Sequence, residues 1–282
     1  MKTIKTNIEN YHIFGESYEN PRELLNTICA RDCFFETHRD RLRDDFEGNE
    51  WCGYRNGKEL KADFLSNKCD SESLKALTSV IKPHGKDTPK VRFHNDVVGF
   101  KPVVPLALMN VPKSMFNHKT VTIKSKILNM CVDIGASGGY GPYQLREAGK
   151  VIFEAIMGLE QAGYRVNLTV YDTSVMDTDI AWRGLKVKDS SQPLDVARCA
   201  YPFVNPAYMR GIGFAWYQRT RGFQHEGGYG HPVRSPSEKR SFEKSVNDKN
   251  AVFMYITDVL DNGKEAVDKA LSVTVKNGPV RA

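Results

Sequence analysis

The sequence has no long hydrophobic run. A membrane-spanning helix needs about 20 consecutive apolar residues, and no segment approaches that, so no membrane partner is expected. The opening stretch MKTIKTNIENYHIFGES carries Lys2 and Lys5 with no apolar core behind them, so a secretory leader is not expected either. Familiar catalytic signatures are missing as well. There is no G-x-S-x-G elbow, no phosphate-binding loop, no H-E-x-x-H and no visible nucleophile–base pair. Gly138-Gly139-Tyr140-Gly141 lacks the lysine and the spacing of a phosphate cradle. Cysteines are few and scattered: Cys29, Cys33, Cys52, Cys69, Cys131 and Cys199. Cys131 falls inside an apolar run, where a reduced thiol is the normal state, so a reducing, cytoplasmic setting is expected.

What is present suits an ordinary globular protein. The 282 residues, 40% hydrophobic and 26% charged, can bury the core of one large domain or two small ones. The net charge of +6 permits an acidic partner, although a dedicated nucleic-acid binder shows a denser basic stripe.

Texture changes near residue 119. Residues 1–118 read as a smaller region of short helices and extended segments packing on the main domain. Pro21–Ile28 and Lys58–Leu65 have helical spacing, the first with proline in its opening turn. Thr37–Glu50 is dense with charge and reads as a solvated helix or loop. Lys82–Lys90 reads as a loop, and Val103–Met109, bracketed by Pro102, Pro105 and Pro112, as non-regular.

Residues 119–282 read as α/β. Ile127–Val132 has strand length and composition. Pro142–Gln161 places Leu145, Ala148, Ile152, Ala155, Ile156 and Leu159 on one helical face, with Gly163 just past the end. Arg165–Tyr171 then alternates as a strand. Strand, helix and strand joined by short connections predict a parallel pair with a right-handed crossover. Trp182–Lys188 is a weaker strand. Leu194–Phe203 and Asn205–Gln218 read as helices, 219–250 as a long loop, Ala251–Thr257 as a buried strand and Lys264–Val273 as a closing helix.

The stretch Asp133-Ile134-Gly135-Ala136-Ser137 falls at the carboxyl end of the first parallel strand, the edge where ligands bind in open α/β sheets. Asp258 ends the later strand in the same way. Two carboxylates and a hydroxyl there could hold Mg²⁺ or Mn²⁺ through oxygen ligands. Alternatively, Asp133 simply caps a glycine-rich turn.

The run Lys126–Ser174, with Ala251–Asp258, resembles a von Willebrand factor A (vWA) domain. That resemblance implies a doubly wound, mostly parallel sheet with helices on both faces. It also implies a metal-ion-dependent adhesion site, in which Asp133, Ser137 and Asp258 would be ligands. Gly135 stands where the pattern has its first serine, so the motif is degenerate, and Ser190 or Ser191 would have to serve for its threonine. The segments EWCG (50–53), DVVGFKP (96–102), VPLA (104–107), PKSM (112–115) and LEQAGYRV (159–166) are similar to an uncharacterised vWA-like family found mainly in bacteriophages. This implies a role in the host cytoplasm or the virion.

The expected function is therefore a non-catalytic protein-binding or scaffold module that uses the carboxyl edge of the sheet. A second reading is a nucleic-acid binder, since Arg210, Arg219, Arg221, Arg234, Lys239 and Arg240 are interleaved with Phe214, Trp216, Tyr217 and Phe223. A third is a metal-dependent hydrolase built on Asp133 and Asp258. Two weaker patterns are a zinc site begun by Cys29, Cys33 and His38 with Cys52 or Cys69, and the pair His225 and His231 flanking a glycine-rich turn. In the first, nothing fixes a fourth ligand; the second reads more simply as a loop.

Overall fold

The computed structural model describes residues 1–35, 39–68, 75, 90–121, 126–220 and 229–276. The chain divides into two compact units, residues 1–81 with 126–282, and residues 82–125. In chain order the strands are β1 Lys2–Ile8, β2 Tyr11–Tyr18, β3 Lys90–Asp96, β4 Lys101–Pro102, β5 Met115–Val121, β6 Lys126–Asp133, β7 Tyr164–Met176, β8 Asp179–Lys188 and β9 Ala251–Tyr255. The helices are α1 Pro21–Cys29, α2 Gly57–Ser66, α3 Val104–Leu108, α4 Pro142–Gln161, α5 Val196–Val204, α6 Phe214–Tyr217, α7 Pro236–Val246, α8 Ile256–Asn262 and α9 Lys264–Lys276. A π-helical turn, Tyr208–Gly213, leads into α6.

The larger unit is mixed α/β, built on a six-stranded sheet in the order β1-β2-β8-β7-β6-β9. β6 runs parallel to both β7 and β9, with Asp133 opposite Tyr171 and Tyr255. β8 returns antiparallel to β7 as a hairpin, β2 lies parallel to β8, and β1 is antiparallel to β2. The alternation of β7 explains why it sits centrally. Val166, Leu168 and Val170 are all fully buried and face the larger core, which α4, α5, the π-helical turn and α8 cover. Tyr171 and Val175 face a second core, where Trp182, Phe242 of α7 and Tyr255 pack edge to face. Helices therefore cover both faces of the sheet.

In the larger unit three expectations are corrected. The boundary at 118/119 does not divide the contacts. The first 18 residues are an integral hairpin of the main sheet, because β2 pairs with β8 from His12–Asp179 to Tyr18–Leu185. The hairpin turns at Glu9, which takes φ of 55°. Second, residues 219–250 are not one loop, since they hold α7. Ser235 caps α7, its hydroxyl accepting from Glu238 N at 3.2 Å while Glu238 Oε2 accepts from Ser235 N at 2.8 Å. Third, β9 ends at Tyr255, and Asp258 lies in the first turn of α8. Most other elements fall where the sequence puts them, with α4 spanning the predicted Pro142–Gln161.

The smaller unit is a three-stranded antiparallel sheet, β3-β5-β4, with α3 formed inside the proline-bracketed segment read as non-regular. Pro105 is tolerated there because the first turn of a helix leaves its N–H groups unpaired anyway. The loop predicted at Lys82–Lys90 lies outside the described residues up to residue 89, and Lys90 opens β3.

Candidate functional site at the carboxyl edge of the sheet

Asp133 ends β6 and is 1% exposed. Its Oδ1 accepts from the backbone N–H of Gly135 and of Thr173, both at 3.1 Å. Its Oδ2 meets the Thr173 hydroxyl at 2.7 Å. Thr173 Oγ1 in turn accepts from Val233 N at 3.3 Å. The backbone makes a further link, Ile134 N donating to Tyr171 O at 2.9 Å. The aspartate is thus a latch that ties the end of β6 to β7 and fixes the turn that follows β6. Burial pushes its carboxyl up to about 8, against the hydrogen bonds from Thr173 and Gly135 that pull it down, while nearby Asp172 adds to the rise.

The four residues expected to share a metal are not brought together. Asp133 is enclosed, with protein donors on both oxygens. Ser137 is exposed, and its hydroxyl accepts from Gly139 N at 3.4 Å. Asp258 is partly exposed, 2.5 Å from Lys239 Nζ. Ser191 donates to Asp189 at 2.8 Å in the loop after β8. Among the described residues no cluster of three or more His, Cys, Asp or Glu has metal-binding geometry. The degenerate motif also has a steric cause. A Cβ on Gly135 would lie 2.9 Å from Thr173 O and 3.2 Å from Thr173 Oγ1, so a serine could not occupy this position unless the backbone moved. The hydroxyl beside Asp133 comes from Thr173 instead. Sequence reasoning missed it because it looked for a hydroxyl in loops, whereas β7 runs on beyond Tyr171. This donor set does not fit a hard cation, which needs several free oxygens.

Around the latch, the edge is assembled from three segments. Tyr140 OH donates to Asp261 Oδ1 at 3.1 Å and accepts from Arg234 at 3.0 Å; Arg234 also lies 3.6 Å from Asp261. This ties the turn after β6 to the approach to α7 and to α8. Arg210 is fully buried and lies 4.0 Å over the Trp51 ring. It donates to Trp51 O at 2.8 Å and Tyr140 O at 2.5 Å. Burial lowers its pKa to about 10, and no carboxylate among the described residues pairs with it. Trp51 Nε1 donates to Gly138 O at 3.0 Å, so the glycine turn is pinned rather than loose. A groove of about 630 Å³, lined by Lys239, Glu243, Tyr255, Asp258 and Lys269, runs beside β9. Exposed Tyr143 stands at the start of α4.

Among the described residues, the basic side chains expected to grip nucleic acid do not form one surface. Arg210 is a buried strut. Arg219, 7% exposed, makes a two-oxygen contact with Asp40 at 2.7 Å. Lys239 is held by Asp258, and Arg234 by Tyr140 and Asp261, which leaves Arg240 exposed on α7. Trp216 and Tyr217 are core residues, and Arg221 and Phe223 lie outside the described residues. The zinc pattern falls only partly among the described residues. Cys29 is exposed and Cys52 buried, while His38 and Cys69 lie outside the described residues, as does His225.

A larger buried pair stiffens the sheet behind the edge. Arg183 Nη2 meets Asp172 Oδ2 at 3.0 Å and donates to Tyr208 O at 3.0 Å, with both side chains essentially unexposed. Burial raises the Asp172 pKa, and Arg183 opposes the rise. No sequence pattern marked this pair, which only the β7–β8 register brings together.

These features define a mixed α/β protein with a rigid, polar-rimmed carboxyl edge. The family model described as "Domain of unknown function (DUF7192)" matches residues 2–277, and the chain belongs to that family. No curated protein and no solved structure matches it. No helix among the described residues is long and apolar enough to cross a membrane.

Proposed function

We propose that the chain is a non-catalytic binding or scaffold module of vWA-like, doubly wound type, phage-encoded, that docks a protein partner at the carboxyl edge of its sheet. Two features support the vWA-like reading. Counted from Lys126, the strand order is 3-2-1-4, with the reversal at β6, and the residue at that switch point is Asp133. The observation that carries the binding reading is the division of labour at this edge. Asp133, Thr173 and Arg210 are spent inward on rigidity. Tyr143 is left exposed, Arg234 and Asp258 stand in surface ion pairs, and Asp258 also lines the groove of mixed charge beside β9. A preorganised rim with an aromatic and paired charges suits recognition of a protein segment. The test is selection of binders from a displayed peptide library on the purified chain. Enriched peptides should lose affinity with Arg234→Glu or Asp258→Lys and keep it with Arg22→Glu on α1. That helix follows β2, which points to the opposite edge. Binders indifferent to both edge variants would refute the assignment.

A further inference from the structure

The unit formed by residues 82–125 carries an unusual combination of charge and exposure. It holds seven lysines, one arginine and two aspartates, so it contains the whole chain's net +6, and the rest of the chain is net neutral. It also holds the densest run of exposed large apolar side chains in the described structure: Val97, Val98, Phe100, Val104, Leu108 and Met109, from 58% to 83% exposed. The helix α3, of sequence VPLAL, has no buried residue. Among the residues of this unit whose side chains are described, none is buried. A small three-stranded antiparallel sheet is marginal by itself in water. The apolar run nevertheless has a fixed shape. Phe100 N donates to Phe116 O at 3.0 Å and Val103 N to Ser114 O at 2.7 Å, holding the segment against β5. Exposed Lys101 lies within it and exposed Lys113 just beyond it.

We infer that this unit docks on an anionic phospholipid bilayer surface, its aliphatic run entering the headgroup–acyl boundary while its lysines meet the lipid charge. Charge complementarity points to a polyanionic partner, and the aliphatic character selects among polyanions. Single-stranded nucleic acid rewards exposed aromatics that stack on bases, and only Phe100 of the six exposed side chains is aromatic. A bilayer interface rewards apolar insertion together with lysines near the surface. A second copy of this chain would meet the same basic unit or a neutral remainder, so it offers no charge complement. Such docking is peripheral, and the lack of a spanning helix does not bear on it.

The experiment is vesicle co-sedimentation of the full chain. It compares pure phosphatidylcholine with phosphatidylcholine containing about a quarter phosphatidylserine. Three proteins are tested: wild type, Leu108→Asp/Met109→Asp and Lys101→Glu/Lys113→Glu. These side chains are exposed, so the variants should keep the wild-type far-ultraviolet dichroism and melting temperature. The expected result is binding to the anionic vesicles only, weakened at least about tenfold in each variant. Three results would overturn the inference: no binding to the anionic vesicles, equal binding to neutral ones, or binding that survives Leu108→Asp/Met109→Asp. Titration with a single-stranded oligonucleotide and sedimentation velocity distinguish the alternatives. Oligonucleotide binding without vesicle binding would assign the unit to nucleic acid. A dimer dissolved by Leu108→Asp/Met109→Asp, again without vesicle binding, would assign it to self-association.

Discussion

Replacing Asp133 by asparagine should change how the stability of this protein depends on pH. The folded carboxyl titrates near 8, whereas in the unfolded chain it titrates near its ordinary value of 3.8. Between these values the folded state holds a proton that the unfolded state has lost. Stability from this group is fully present below about pH 4, is lost as pH rises toward 8, and changes no further above that. Each pH unit inside the window is worth about 1.4 kcal/mol, so the loss from pH 5 to pH 8 is about 4 kcal/mol. That is a large share of the roughly 5–15 kcal/mol that holds a typical domain folded. Asparagine copies the protonated acid. Its Oδ1 can keep the bonds from Gly135 N and Thr173 N, and its Nδ2 can donate to Thr173 Oγ1 across the 2.7 Å contact. Urea denaturation of both proteins at pH 5, 6, 7 and 8 isolates the effect, because every other titrating group is shared. The Asp133→Asn variant should gain on the wild type by about 1 kcal/mol per pH unit across this range. A difference that stays flat from pH 5 to pH 8 would refute the claim that the aspartate is buried without a cation beside it.

Other perturbations follow from the same structure. Gly15→Ala would put a Cβ 2.0 Å from Trp182 Cε2, so thermal melting should report a loss of about 1–3 kcal/mol or more. Arg183→Met strands Asp172 in the core and should cost about 3–5 kcal/mol in urea, while the double variant Arg183→Met/Asp172→Leu should recover part of it. Calorimetric titration of Mg²⁺ or Mn²⁺ should show no saturable heat that Asp133→Asn abolishes, since both carboxylate oxygens already accept protein hydrogen bonds.

Local patterns in the sequence revealed much of the fold. The i, i+3, i+4 face of α4 and the alternation of Val166, Leu168 and Val170 are local signals, and both elements stand where those signals put them. The β1–β2 hairpin carried a weaker one. Its strands alternate, but Ile4 and Ile8 are only partly buried, and Glu9-Asn10 is not the usual Asn-Gly turn. Its place in the sheet depends on pairing with β8, some 170 residues away. The capping box at Ser235 and Glu238 is a local signal lying within the segment read as a loop. The site was legible in position and not in partners. Asp133 at a strand end followed from pattern, whereas Thr173, Arg183 and the inward turn of Arg210 depend on register and packing. Charge spacing along the chain cannot separate a buried strut such as Arg210 from an exposed contact such as Arg240.

If a protein partner docks at the carboxyl edge, cross-linking from that edge should capture it. The most direct measurement places a photo-activatable amino acid at Tyr143, at Arg234 and, as control, at Arg22, and irradiates cells in which the protein acts. One defined protein adduct is expected, formed from Tyr143 and Arg234 and absent from Arg22. An adduct from Arg22 alone, or none from either edge position, would contradict it.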